Sequence, residues 1–102
     1  HVFSVYLRIK IIMHCYIVLY DLCKPGQNYE RLYMQLRNYE RWGRLTESAW
    51  AIVTSKNYIQ LRDELNMCID EDDRLLVVRS GQEAAWNNLM ASTEWIKENL
   101  VL

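Results

Sequence analysis

The chain has 102 residues, 51% of them hydrophobic and 25% charged, with a formal net charge of −1. Such a composition describes a globular chain long enough to bury one real core, and excludes an intrinsically disordered one. The near-neutral balance gives no global attraction to nucleic acid or anionic membrane, so any phosphate-binding surface has to be local.

Residues 1–12, HVFSVYLRIKII, alternate Phe3, Val5, Leu7, Ile9 and Ile11 with Ser4, Arg8 and Lys10. This is a strand period on a stretch too short and too charged to span a bilayer. It reads as an N-terminal extension, either an extra edge or swapped strand or non-native or upstream-translated sequence, ahead of one domain over 13–102. Residues 15–22 are short, apolar and closed by Lys24-Pro25-Gly26, which predicts a buried strand ended by a turn. Asn28 is placed to cap a helix with Tyr29, Leu32, Tyr33, Leu36 and Tyr39 on one apolar face, stopped by Trp42-Gly43.

Residues 44–47 and 49–54 read as two short strands joined at Glu47-Ser48, or as one bent strand. Asn57 is set to cap a second helix sending Tyr58, Leu61, Leu65 and Ile69 to the core. The contiguous acids Asp70-Glu71-Asp72-Asp73 read as a solvated turn, followed by a fully buried strand over 74–79. Residues 83–100 read as a helical tail covering sheet or helix surface. Ala85, Leu89, Trp86 and Met90 form its apolar rows, and Ser92 caps a last turn with Trp95, Ile96 and Leu100. The order predicts an α+β fold: a ferredoxin-like βαββαβ antiparallel sheet with two helices on one face, plus the C-terminal helical tail.

Several short motifs fall in a fixed order: Tyr20-Asp21-Leu22-Cys23-Lys24-Pro25-Gly26-Gln27-Asn28-Tyr29, Trp42-Gly43, Thr46-Glu47-Ser48-Ala49-Trp50, Asp63-Glu64-Leu65, Ala84-Ala85-Trp86 and Trp95-Ile96-Lys97-Glu98-Asn99-Leu100. From Met13 onward this pattern resembles the small CRISPR-associated nuclease family called Cas-two, and more closely its SinR-like bacterial relatives. The resemblance implies a ferredoxin-like homodimer in which the strand-ending acid is the metal-linked catalytic residue, here Asp21. It also implies that Ser48 and Trp50 flank the nuclease cleft. Two departures stand out. The family usually ends in a strand that pairs across the dimer, where this chain reads as helix, and basic residues are sparse after the acid.

Phosphodiester hydrolysis of this kind uses Mg²⁺ on one or two carboxylates with several waters retained. One aspartate per chain is thin provision, and a twofold dimer that brings both Asp21 side chains together supplies the second. The alternative reading is that Asp21 accepts backbone hydrogen bonds at a turn. Lys24, Arg31, Arg37, Arg41 and Arg44 are the candidate phosphate contacts, diluted by Glu30 and Glu40.

His14 lies at the other end of the first strand, roughly 23 Å from Asp21 at strand rise, which suits a structural role. Cys15, Cys23 and Cys68 show no CxxC and no paired histidine, so they read as reduced thiols in a cytoplasmic protein. The four tryptophans read as packing residues. The expectation is a metal-dependent nuclease-like homodimer acting on DNA or RNA. The alternatives are a non-catalytic dimeric scaffold for nucleic acid or for a protein partner in a larger assembly, and a ribonuclease like the VapD toxins. No membrane partner is expected.

Overall fold

The computed structural model describes residues 12–24 and 29–100. The readings of residues 1–11, of Pro25-Gly26 as a turn and of Asn28 as a helix cap lie outside the described residues. The elements run β1 (His14–Asp21), α1 (Glu30–Leu36), β2 (Arg41–Thr46), β3 (Ala49–Thr54), α2 (Tyr58–Asn66), β4 (Arg74–Arg79) and α3 (Thr93–Asn99). They form a small α+β fold with a four-stranded antiparallel sheet ordered β2-β3-β1-β4 and three helices.

β1 sits inside the sheet, and side chains alternate across a strand, so its two faces enter two different cores. Tyr16, Val18 and Tyr20 join Trp50 and Ile52 of β3 beneath Leu32 and Leu36 of α1 and Leu61 and Leu65 of α2. Cys15 packs on the other face with Ala49, Ala51 and Val53 of β3, against Ile96 and Leu100 at the C-terminal helix. Burial on both sides explains why β1 and β3 read as unbroken apolar runs. α2 begins with a complete capping box, in which Gln60 N–H donates to Asn57 Oδ1 and Asn57 N–H donates to Gln60 Oε1. Ser92 caps α3 in the same sense by accepting from Trp95 N–H.

Four expectations are corrected. Trp42-Gly43 does not stop a helix: α1 ends at Leu36, and both residues lie in β2. The glycine instead admits the Trp95 ring, since a Cβ at Gly43 would sit 2.7 Å from Trp95 Cζ3. Residues 83–92 are irregular rather than helical, with Asn88 at φ 59° in the left-handed region. Trp86 and Leu89 nevertheless cover the second sheet face. β4 is an edge strand rather than a buried one, because β1 pairs it on one side and nothing described pairs it on the other. Tyr58, assigned to the core, is exposed at the first turn of α2.

The acidic run is a turn with a structural job. Asp73 accepts from Cys23 N–H, Tyr29 Oη–H and Asp70 N–H, and so ties the loop after β1 to the α2–β4 connection. Hydrogen bonds from the Cys23 and Asp70 backbone and from Tyr29 outweigh its partial desolvation and hold its carboxyl below the usual carboxylate range.

Candidate functional site

The C-terminal end of β1, the β2–β3 turn and one side of α1 enclose an open cleft of about 580 Å³, lined by Tyr20, Asp21, Leu22, Tyr33, Arg44, Glu47 and Ser48. Its floor is a chain of polar groups from the first core. Trp50 Nε1–H donates to Tyr20 Oη at 2.9 Å, and Tyr20 Oη–H donates to the Glu47 carbonyl at 2.8 Å. Tyr20 N–H donates to the Ser48 carbonyl, which fixes the turn against β1. Burial pushes the Tyr20 hydroxyl up, so it stays a neutral donor.

Arg44 lies directly opposite Trp50 in the β2–β3 pairing, just before an irregularity in register between Arg44 and Thr46. Its guanidinium stands 4.9 Å from the Tyr33 ring centre and 5.2 Å from that of Trp50, and Nη2–H donates to the Glu47 carbonyl at 2.8 Å. Contact with two aromatic faces lowers the conformational freedom of the long side chain and leaves its charge available to the cleft. Its Nε is buried with no hydrogen-bond partner among the described residues. A cation held at the cleft wall suits an incoming oxyanion, although the buried Nε is out of its reach.

Asp21 is exposed at the rim, where its carboxylate Oδ2 accepts from Arg74 Nη1–H at 2.8 Å across the β1–β4 pairing. With side-chain exposures of 64% and 78%, this ion pair is a weak clamp, of the kind worth at most about 1 kcal/mol. Of the residues singled out in the sequence, the fold brings Asp21, Ser48 and Arg44 to one cleft. The others are engaged elsewhere: Lys24 with Asp70, Arg31 with the Met67 carbonyl, Arg37 with Glu30, and Arg41 with Asn99 Oδ1. Trp50 does not line the cleft: it is buried behind it, where its ring supports Arg44 and its indole N–H holds Tyr20.

Tyr33 and Glu47 are cleft residues that sequence reasoning assigned to a helix face and a turn. Glu47 is a second acidic residue among those that line the cleft with Asp21. No group of three or more His, Cys, Asp or Glu suited to a metal occurs among the described residues. Asp21 and Glu47 carry carboxylates and Ser48 a hydroxyl, hard oxygen donors of the kind that suits Mg²⁺ with most of its water retained and does not suit zinc. Among the described residues no helix is long and apolar enough to cross a membrane. Comparison with protein-family models, with curated proteins and with solved structures finds no match to this chain.

Proposed function

We propose that the chain is a metal-dependent nuclease-like protein of the Cas-two and SinR-like group, built on a ferredoxin-like sheet and acting on DNA or RNA phosphodiesters as a homodimer. The observation that carries this reading is the convergence on one cleft of Asp21 from the end of β1 with Arg44 and Ser48 from the β2–β3 hairpin. The element order, with both α1 and α2 packed on one sheet face, supports the ferredoxin-like assignment.

In this reading Arg44 receives the non-bridging oxygens of a phosphate through its planar fork. The Ser48 hydroxyl orients the same group, and Glu47 stands beside Asp21 on the cleft wall. Asp21, with Glu47 on the same wall, would hold the cation, and Mg²⁺, when bound, would supply a water of lowered pKa and offset charge at phosphorus. Arg74 has to release Asp21 first, a small cost for so exposed a pair.

A second copy completes the site. The sheet face under α3 is only half covered, and on its β1–β4 side Leu19, Leu76 and Val78 remain 39%, 54% and 41% exposed. Leu19 and Leu76 are direct cross-strand partners, and the Asp21–Arg74 pair lies at the end of the same strip. An isologous contact through this strip brings both Asp21 rims toward the twofold axis.

The test is cleavage of labelled duplex DNA and single-stranded RNA, with Mg²⁺ or chelator, by the parent protein and by Asp21→Asn. Metal-dependent cutting abolished in the variant is the expected result, and undiminished cutting by Asp21→Asn overturns the assignment. A non-catalytic dimeric scaffold is the second reading, and the Asp21–Arg74 ion pair favours it, because the acid already has a partner. Binding of either nucleic acid without any cutting selects it.

A further inference from the structure

At the opposite end of the sheet from Asp21, the start of β1 and the end of β4 enclose a second cavity of about 210 Å³, lined by His14, Cys15, Arg79, Ser80, Gly81 and Gln82. Its lining differs in kind from that of the cleft. Among the described residues no Asp or Glu lines it, whereas an arginine, a histidine, a serine and a glutamine do. Burial pushes the Cys15 thiol up, against a smaller opposing effect of its hydrogen bond with the Ser80 side chain, and so keeps it neutral near pH 7.

Arg79 is the distinctive member. Arg31, Arg37, Arg41, Arg44, Arg62 and Arg74 each hold a carbonyl, an amide oxygen or a carboxylate. Among the described residues Arg79 is the one arginine with neither a hydrogen bond nor an ion pair. Its five N–H donors are therefore uncommitted beside a pocket whose described lining holds no acidic residue.

Two features set the size and approach of a ligand. The volume lies below the ~300–1,000 Å³ of pockets that enclose drug-sized molecules, and leaves room for one tetrahedral ion with a few waters of about 30 Å³ each. A Cβ built on Gly81 meets nothing within 4 Å, so the backbone there is open to close approach.

We propose that this pocket binds a tetrahedral oxyanion, phosphate or a terminal phosphate monoester, with Arg79 as the charged receptor and His14, Ser80 and Gln82 as further polar groups around it. The site is independent of the Asp21 cleft and stands whether or not that cleft cleaves nucleic acid.

The experiment titrates the full chain with inorganic phosphate at fixed pH, with ionic strength balanced by chloride, while NMR follows the His14 ring signals, distinguished from those of His1 by a His14→Gln spectrum. A saturable shift is expected, weakened at least about tenfold in Arg79→Gln, as for loss of a charge-assisted hydrogen-bonding group. Gly81→Val should keep the melting temperature of the parent and also lose the shift, because its side chain enters space that is empty in the folded chain. An oligonucleotide with a terminal phosphate, compared with its hydroxyl-ended counterpart, identifies the source. Preference for the phosphorylated end, reversed by inorganic phosphate, assigns the site to a strand terminus; indifference to the end, with the phosphate shift intact, assigns it to the free ion. A response no larger than that to chloride, or one undiminished in Arg79→Gln, overturns the proposal.

Discussion

Replacing Gly43 with alanine tests how the C-terminal helix is held on the sheet. In a strand interior the exchange ordinarily stabilises by about 0.5–1 kcal/mol, because glycine loses more backbone freedom on folding. At this position the new methyl carbon would lie 2.7, 2.8 and 2.9 Å from Cζ3, Cε3 and Cη2 of Trp95. Carbon atoms pack at about 3.5–4.0 Å, so the ring or the strand has to move by roughly 1 Å. Overpacking of this kind costs about 1–3 kcal/mol, and the net destabilisation should be about 1.5 kcal/mol after the entropic gain. For a chain of this size that corresponds to a fall of roughly 6–12 °C in Tm. Urea unfolding measures it directly, and a double-mutant cycle with Trp95→Leu isolates the contact. In the Trp95→Leu background the alanine should be neutral or stabilising. Gly43→Ala at least as stable as the parent, or equally costly in both backgrounds, refutes the placement of the ring over β2.

Other outcomes follow from the same geometry. Leu76→Asp, on the uncovered side of the sheet, should convert a dimer to a monomer in sedimentation or light scattering while far-UV circular dichroism stays unchanged; a persisting dimer moves the interface elsewhere. Burial alone would raise the Glu64 carboxyl, but hydrogen bonds from Lys56 and Tyr39 outweigh it and hold the group below its ordinary value. Its contribution to stability is therefore full above the unfolded glutamate pKa of about 4.3 and is lost as pH falls through the lower folded value. The urea midpoint should drop through this acid range, and Glu64→Gln should flatten the drop. An unchanged slope removes the network from the account of acid stability. Asp73→Ala should speed hydrogen exchange at the Cys23 and Asp70 amides by about fivefold or more, the equivalent of roughly 1 kcal/mol for a lost hydrogen bond. Unchanged exchange would mean that the loop after β1 is held by other contacts.

What was legible in the sequence was what is decided locally. The β1 and β3 runs, the Asn57 and Ser92 caps and the Glu47-Ser48 turn depend on residues within a few positions of one another, and they fold as read. What failed depends on distant partners. Aromatic-glycine after an apolar helix face is a sound local stop signal, yet Gly43 answers to Trp95, far along the chain. The LLVV of β4 is the same string whether a strand is covered by its own chain or left for another surface, and here Leu76 and Val78 are left exposed. Trp86 and Leu89 are apolar for the reason expected, contact with the sheet, but they reach it as an irregular strap rather than a helix. The site divides similarly. Asp21 and Ser48 stood out by resemblance, whereas the Arg74 partner of Asp21 becomes visible only once the β1–β4 register is known.

The two-sided burial of β1 makes the position of Asp21 intolerant of insertions and deletions. Sliding the strand by one residue exchanges its faces. Tyr16 would then turn to the face where Cys15 now packs and Tyr20 to the uncovered strip of Leu19, and the helices would lose the tyrosines they close over. Length changes in this segment are thus filtered by packing on both sides of the sheet at once, and the acid at its end keeps its address even without selection on chemistry. Variation in where the cleft sits should arise from the turn between β2 and β3, where the backbone is not clamped between two layers.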